Sequence, residues 1–232
     1  MEWRLDKFLT QIPVGTRSQV KDMIKKGRVC VNGVHAAKPE TKVDTENDCI
    51  TLDGKQLTYA QYVYYMLNKP AGVITATMDK KKETVVDLLD DKRKDLFPVG
   101  RLDIDTEGLL LITNDGELCH RLLSPKHHVD KCYLAKTNLP IPKDAAEKFA
   151  AGMDLGDFTA MPAKLEILDT CEAKVTVQEG KFHQVKRMFE AVGVTVVYLK
   201  RLSMGSLLLD ESLAPGESRA LTQEELQCLK EK

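Results

Sequence analysis

The chain has 232 residues, of which 43% are hydrophobic and 30% charged, and its formal net charge is −1. This composition is that of a globular protein, which excludes wholesale disorder, and the short apolar runs exclude a membrane span. The charged start lacks the apolar stretch of a signal peptide, and the six cysteines lack the spacing of a disulfide framework or zinc site. We therefore expect a cytoplasmic protein without a metal centre.

Residues 1–57 predict a small helix–helix–strand domain. The first helix is indicated by three apolar residues at helical spacing, Leu5, Phe8 and Leu9. Residues 16–19 read Thr-Arg-Ser-Gln, a capping box that opens a second helix ending near Gly27. Turn signals at 32–33 and 53–54 each follow a short run of apolar and β-branched residues, as expected for short strands.

Basic residues are concentrated in this first part of the chain. Residues 1–38 contain eight basic and three acidic residues, a net charge of +5, whereas residues 39–57 carry −3. Arg17, Lys21 and Lys25 recur every four residues, so a helix would present them on one face. Local clustering of this kind, more than the overall charge, indicates binding to a polyanion such as nucleic acid.

After a short linker at 58–61, residues 62–232 predict a second, larger domain. Strands are indicated at 63–67, 73–77, 109–113, 164–168, 174–179 and 195–202. Helices are indicated at 84–89, 115–123, 143–151 and 184–192. Because strands and helices interleave without regular strand–helix–strand alternation, we predict an α+β fold with a mixed, largely antiparallel sheet.

The most informative segment is 100–116, which reads GRLDIDTEGLLLITNDG. A turn carrying Arg101 and Asp103 leads into the apolar strand at 109–113. Asp103 would then lie beside a rigid buried element that fixes its carboxylate, as a catalytic group requires. The Asp115-Gly116 pair after the strand is a hairpin signal.

Segment 100–116 resembles the signature of RsuA-type RNA pseudouridine synthases, the group that includes RsuA, RluB, RluE and RluF. Three further segments agree with this family in order: 67–72 (LNKPAG), 131–135 (KCYLA) and 179–188 (EGKFHQVKRM). The resemblance covers essentially the whole chain. It implies an isomerase that converts uridine to pseudouridine in RNA, without a cofactor and without a metal.

The resemblance also implies the catalytic residues. Asp103 matches the family's catalytic aspartate, which acts as nucleophile or general base on a uridine flipped out of the RNA. Tyr133 matches the active-site tyrosine, which stacks on the base or takes part in proton transfer. Lys186 aligns best with the cation that pairs with the aspartate, and Arg187 is the next candidate.

Two further pocket residues are implied in the same way. Arg101 resembles the arginine that fills the gap left by the flipped base, and its alternative role is an ion pair with Asp105 or Glu107. Leu202 resembles the apolar wall behind the uracil ring. His183 is expected to order the loop around Lys186 and not to act as an acid or base.

The first 57 residues resemble the S4-like RNA-binding domain, named after a small-subunit ribosomal protein. By this resemblance the phosphate contacts fall on five basic residues: Arg4, Arg17, Lys21, Lys25 and Lys26. Such contacts hold and orient RNA without specifying a base.

The compact two-domain layout implies a monomer that modifies ribosomal RNA, free or in a pre-ribosomal particle, with small-subunit 16S RNA as the expected substrate. Three alternatives remain open. Relatives with the same motifs modify large-subunit 23S RNA, and a non-catalytic RNA-binding protein of ribosome assembly would share the first domain. The run Asp103-Ile-Asp105-Thr106 superficially resembles the nucleophile motif of aspartyl-phosphate hydrolases, but its spacing is one residue short.

Overall fold

A computed structural model describes residues 2–12, 14–36, 38–45, 47–57, 61–91 and 93–231. The chain divides into two compact units, Met1–Gln61 with Asp91–Asp95, and Tyr62–Asp90 with Leu96–Lys232. The predicted second domain, 62–232, includes residues 91–95, which the structure groups with the first unit. Of the predicted linker 58–61, only Gln61 falls within the described residues. No helix in the described segments is long and apolar enough to cross a membrane.

The described residues of the first unit form two helices and six short strands. They are β1 (Glu2–Arg4), α1 (Leu5–Gln11), α2 (Arg17–Lys25), β2 (Val29–Val31), β3 (Val34–His35), β4 (Lys42–Asp44), β5 (Ile50–Leu52) and β6 (Lys55–Leu57). Strands β3, β2, β5 and β6 form an antiparallel sheet in that order, and β1 pairs with β4. From α1 onwards this is the predicted helix–helix–strand order, but β1 precedes α1 and was not predicted.

Helix α2 begins at the predicted capping box. The Thr16 hydroxyl accepts a hydrogen bond from the Gln19 amide at 3.4 Å, and the Gln19 side chain accepts one from the Thr16 amide at 2.8 Å. Two otherwise unpaired donors at the helix start are thereby satisfied. Val20 and Ile24 bury the inner face of the helix in the core of this unit. The basic residues therefore occupy its outer face.

The second unit carries the remaining elements. They are β7 (Tyr64–Lys69), β8 (Phe97–Pro98), β9 (Glu107–Thr113), α3 (Gly116–Leu123), β10 (Lys131–Thr137), α4 (Ala145–Ala151), β11 (Met153–Asp154), β12 (Thr159–Ala160), β13 (Lys164–Asp169), β14 (Glu172–Val177), α5 (Gln184–Ala191), β15 (Val196–Met204), β16 (Leu207–Leu208), β17 (Ser218–Ala220) and α6 (Gln223–Lys230). The main sheet runs β13-β14-β10-β15-β9-β7-β17. Its neighbours are antiparallel except β15 and β9, which are parallel, so the predicted mixed, largely antiparallel sheet is confirmed.

Strand β9 separates two apolar cores. Leu110 and Ile112 belong to one cluster, whereas Leu109 and Leu111 belong to the other. Successive side chains of a strand point to opposite faces of a sheet, so both faces of β9 are buried. This explains why residues 109–113 are apolar without alternation.

Three local predictions in the second unit are wrong. Residues 73–77 form no strand, because only Ile74 makes an isolated bridge, with Thr84. Residues 84–89 form turns and not a helix. There the Thr84 amide and hydroxyl both donate to the Asp87 carboxylate at 2.8 Å, which closes a tight turn in a run too short to propagate a helix.

The third wrong prediction is the hairpin at Asp115-Gly116. Asp115 instead caps α3, since its carboxylate accepts from the Leu118 amide at 3.0 Å and from the Tyr64 hydroxyl at 2.7 Å. Aspartate is common both in hairpin turns and at the start of helices. Here the apolar residues that follow recur at helical spacing, so the helix predicted at 115–123 forms and the hairpin does not. Helix α6 was not predicted.

Candidate active site

The turn that carries Asp103 is supported from below by a buried lysine. Lys69 is 0% exposed, and its ammonium donates to the carbonyl oxygens of Pro70 and Thr106 at 2.9 Å and approaches that of Ile104 at 3.4 Å. Burial lowers the pKa of Lys69 to about 8, although Asp105 and Asp103 act in the opposite direction. The ammonium thus fixes carbonyl groups on both sides of Asp105 and shapes the turn.

Further hydrogen bonds tie this turn to the segment at 72–75. The Thr75 hydroxyl donates to the Leu102 carbonyl at 2.7 Å, and the Gly72 amide donates to the Ile104 carbonyl at 2.7 Å. The Thr106 amide closes the turn on the Asp103 carbonyl at 3.1 Å. The backbone around Asp103 is therefore held at several points, as positioning a reactive group requires.

Gly108 permits the close approach of two strands next to this turn. Its φ is +97°, and a Cβ atom there would lie 2.3 Å from the carbonyl oxygen of Arg201. Only glycine fits this combination of conformation and contact. The contact belongs to the parallel pairing in which Gly108 lies opposite Arg201.

The Asp103 carboxylate lies next to an ammonium from α5. Lys186 Nζ is 3.1 Å from Asp103 Oδ2 and 2.7 Å from Asp105 Oδ1, so one cation contacts both carboxylates. Burial lowers the pKa of Lys186, but its bonds with Asp105 and Asp103 outweigh that effect and the pKa is raised. The same bond with Lys186 lowers the pKa of Asp105. Lys186 is therefore a permanent cation beside Asp103 at neutral pH.

His183 is a third group at this carboxylate; the sequence placed it in the loop around Lys186 but did not indicate its contact with Asp103. Its Nε2 lies 3.5 Å from Asp103 Oδ1. The residue has a left-handed φ of 50°, and its ring stacks on that of Phe182 with centroids 3.8 Å apart. The one available signal was its place three residues before Lys186, on the turn that opens α5.

Asp103, Tyr133, Lys186 and Arg101 all line one cleft, which encloses about 450 Å³ including its open mouth. Tyr133 lies on β10 and is 8% exposed, and its hydroxyl has no hydrogen-bond partner among the described residues. Apolar lining comes from Val177, Val185 and Leu199. The cleft combines a fixed carboxylate, a cation and an aromatic ring, the arrangement expected for binding a flat polar ring.

Arg101 is exposed and forms neither of the ion pairs suggested as its alternative role. Asp105 contacts Lys186, and Glu107 accepts a hydrogen bond from the Tyr198 hydroxyl at 2.9 Å. Across the described residues, the Arg101 side chain has no ionic or hydrogen-bond partner.

Leu202 is not among the described residues that line the cleft; Leu199 is. The reason is a bulge in β15. Cys132 pairs with Ser203 whereas Tyr133 pairs with Arg201, which leaves Leu202 as the extra residue of the ladder. An irregularity of this kind cannot be read from residue spacing.

Arg187 faces a different loop from Lys186. It forms an ion pair with Asp157, donates to the Leu155 carbonyl at 2.5 Å and lies 4.9 Å above the Phe158 ring. It does not line the cleft in the part of the chain that the structure describes.

The first unit carries a separate basic groove, which is lined by Arg4, Asp6, Lys7, Thr10, Arg17 and Lys21. Arg17, Lys21 and Lys25 are exposed and have no ion pair among the described residues. Arg4 by contrast pairs with Asp6 at 2.8 Å and Glu40 at 3.5 Å, and Lys26 pairs with Asp22 at 2.7 Å. Three of the five predicted phosphate contacts are thus unpaired cations. Lys7 was not predicted.

Within the described residues there is no group of three or more histidine, cysteine, aspartate or glutamate side chains that would hold a metal ion.

The chain matches two protein families. Residues 63–191 match the family of RNA pseudouridylate synthases, and residues 3–50 match the S4 domain family. An uncharacterised RNA pseudouridine synthase of Bacillus subtilis is 46% identical over 98% of both chains. The ribosomal small subunit pseudouridine synthase A of Escherichia coli is 43% identical over 96% of this chain and 98% of its own.

A solved structure agrees with this match. The crystal structure of a pseudouridylate synthase superposes with a TM-score of 0.70 at 40% identity, covering 97% of this chain and 99% of the other. Sequence match, fold and cleft therefore agree, and the chain belongs to the RNA pseudouridine synthase family, with an S4 domain at its N-terminal end.

Proposed function

We propose that this enzyme isomerises a uridine of small-subunit 16S ribosomal RNA to pseudouridine, in free RNA or in a pre-ribosomal particle. The substrate class is supported by the relatives from Escherichia coli and Vibrio cholerae, both named ribosomal small subunit pseudouridine synthase A, at 43% and 42% identity. Action as a monomer in the cytoplasm is part of the same proposal.

We assign the catalytic role to Asp103, and the contact between Asp103 and Lys186 inside the cleft is the observation that carries this assignment. A carboxylate acts as nucleophile or base only when ionised, and Lys186 places a positive charge directly beside that of Asp103. Lys186 also fixes the direction of the carboxylate oxygens. Tyr133, with its ring in the same cleft, provides a surface on which an everted uracil stacks.

The reaction conserves all atoms of the nucleoside. The bond between uracil N1 and ribose C1′ breaks, the base rotates, and a new bond joins C5 to C1′. The proton on C5 is then lost and N1 gains one, so no oxidant, reductant or phosphate donor is consumed. One ionised carboxylate suffices, whether it attacks the sugar or the base, or removes a proton from the sugar.

The proposal gives residues 1–57 the task of holding RNA and residues 62–232 the chemistry. The exposed cations on one face of α2 are Arg17, Lys21 and Lys25. Contacts from such cations to phosphates orient a nucleic acid without reading its bases. The choice of the target uridine would then depend on the shape of the cleft and on which uridine of the bound RNA can unstack and enter it.

The test uses purified full-length protein with transcripts of 16S and 23S ribosomal RNA. Wild-type enzyme is expected to form pseudouridine at one position of the 16S transcript, mapped by carbodiimide adducts and reverse transcription. Asp103→Asn is expected to lower the rate by at least about 10³-fold, because it removes the ionised group, while the Kd for RNA changes by less than a few-fold.

Asp105→Asn is the matched control, because Asp105 contacts the same ammonium but is not assigned the chemistry. It should retain most of the activity. Modification of 23S RNA alone would contradict the proposed substrate, and RNA binding without turnover by wild type would support a non-catalytic role in ribosome assembly.

A further inference from the structure

A second groove continues from the catalytic cleft. It shares Arg101 and Gly180 with the cleft and encloses about 1020 Å³ including its open side. Its charged lining residues are Arg101 and Lys131, and no carboxylate lines it among the described residues. All charged side chains that line the groove leading away from Asp103, among the described residues, are therefore positive.

Lys131 is the unusual member of this lining. It is 6% exposed, at the start of β10, and its ammonium donates to the Val129 carbonyl at 2.8 Å. A lysine ammonium has three donors, so this bond leaves two unused. The neighbouring Asp130 accepts instead from the Gln178 amide at 3.1 Å. Burial and the nearby Arg201 together lower the pKa of Lys131 to about 8, although Asp130 acts in the opposite direction.

Arg201 adds a second buried cation in the same region. It is 2% exposed, its Nε donates to the Leu109 carbonyl at 2.7 Å, and its Nη2 is buried without a hydrogen-bond partner. Two cations buried near each other are costly for a folded chain, and the Asp130 carboxylate offsets this cost only in part. An anion that enters the groove from outside the chain would satisfy the unused donors of Lys131 and offset the repulsion between Lys131 and Arg201.

We propose that this groove is a binding site for the RNA backbone beside the everted uridine, with Lys131 contacting a phosphodiester. The inference rests on the proposed function, because a nucleotide in the cleft must leave it along a strand of phosphates. The groove is the continuation of the cleft, and its exposed Arg101 guanidinium lies at their junction. Thr75 and Thr77 in the lining offer hydroxyl groups to the sugar–phosphate chain.

The test measures the Kd for a 16S transcript as a function of KCl concentration. Lys131→Met is expected to raise the Kd several-fold and to lower the log–log salt slope by about 0.7–0.9, the loss of one phosphate contact. Lys131→Arg is expected to restore both. Lys136→Met is the matched control, because Lys136 lies on the same strand but is exposed and paired with Glu172 at 3.0 Å. An unchanged slope in Lys131→Met would overturn the proposal.

A second variant does not depend on replacing a buried residue. Thr77 is exposed on the groove, so Thr77→Glu places a carboxylate where the phosphate is expected and should raise the Kd for RNA. Thr170→Glu, at the opposite end of β10, should not. Equal Kd values for these two variants and wild type would also overturn the proposal.

Two further measurements separate the possible failures. Inorganic phosphate that raises the Tm of wild type but not of Lys131→Met, without any change in the RNA salt slope, would identify a site for the free ion and overturn the RNA assignment. Turnover of the same transcript by wild type is scored independently. Absence of pseudouridine with the expected slope change would refute the proposed function and leave the backbone site standing.

Discussion

The cleft of the second unit and the basic groove of the first use charge in opposite ways. In the cleft, Lys186 is mostly buried and contacts two carboxylates within 3.1 Å. On α2, Arg17, Lys21 and Lys25 are exposed and have no ionic partner in the described part of the chain. Lys186 is thus fixed by carboxylates of the protein itself, whereas the three cations of α2 are available to a ligand.

The difference follows from what each region must do. A reactive carboxylate needs a constant direction and a constant charge, so its counter-ion belongs to the protein and is present before the substrate arrives. RNA binding gains free energy by releasing counter-ions from phosphates, so its cations should have no internal partner to give up. On the roles proposed above, a cation that orients the reactive group has an ion pair within the fold, whereas a cation that contacts RNA has none.

Among the variants that test this comparison, removal of Lys186 should have the largest effect on turnover. Lys186→Met leaves Asp103 and Asp105 facing each other without an ammonium, so kcat should fall by about 10²-fold. The pKa of Asp105, now held down by Lys186, should rise, which carbon-13 NMR of the carboxyl groups would detect. Arg187→Met is the matched control, because the adjacent Arg187 pairs with Asp157 outside the cleft. An equal fall in kcat in Lys186→Met and Arg187→Met would contradict the special role given to the ion pair of Lys186.

The aromatic wall of the cleft should have the next largest effect. Tyr133→Leu removes the stacking surface and should lower kcat/KM by about tenfold. Tyr133→Phe keeps the ring and removes a hydroxyl that has no partner among the described residues. If stacking is the main role of Tyr133, the kcat/KM of Tyr133→Phe should stay within a few-fold of that of wild type. A fall in kcat/KM as large as that of Tyr133→Leu would instead indicate proton transfer by the hydroxyl.

The unpaired cations of α2 should govern affinity. Lys21→Glu combined with Lys25→Glu should raise the Kd for RNA about tenfold and lower the salt slope by about 1 for each lysine. Turnover at saturating RNA should be unchanged. Lys26→Ala is the control within the same segment, because its ammonium already pairs with Asp22 at 2.7 Å. Wild-type affinity in the double variant would refute the proposed phosphate contacts.

A smaller effect concerns stability and tests the cost of an unpaired cation that is buried. The pKa of Lys131 is about 8 in the folded chain and about 10.4 in an unfolded one. Between these values the unfolded state binds more protons, so stability should rise with pH. From pH 7.5 to 9.5, the free energy of unfolding of wild type should gain about 2 kcal/mol relative to Lys131→Met.

Urea unfolding at the two pH values measures this difference. Lys69, whose pKa is also lowered, is present in both proteins and its contribution cancels. Parallel pH profiles of the two proteins would mean that Lys131 carries no such burial cost.

The sequence was sufficient for the elements with strong local signals. The capping box of α2 and the apolar run of β9 were predicted because each depends on a few adjacent residues. The turns at 84–89 were predicted as a helix, because the capping pattern of Thr84 and Asp87 is the same whether or not a helix follows. Helix α6 was not predicted.

The site divides in the same way. The resemblance selected Asp103, Tyr133 and Lys186, which the structure brings into one cleft, but their catalytic roles stay predictions. Leu202 was misplaced because a bulge changes the register of β15. His183 was expected only to order the loop around Lys186, because its approach to Asp103 depends on a left-handed backbone conformation at a non-glycine residue, which spacing does not reveal.

The parallel contact between Gly108 and Arg201 has a consequence for how the protein is made. The sheet of the first unit closes within residues 29–57, so it can form early in synthesis by the ribosome. The reactive turn, by contrast, is buttressed by a strand that is translated more than ninety residues later. A nascent chain therefore acquires the means to hold RNA well before it acquires the means to modify it.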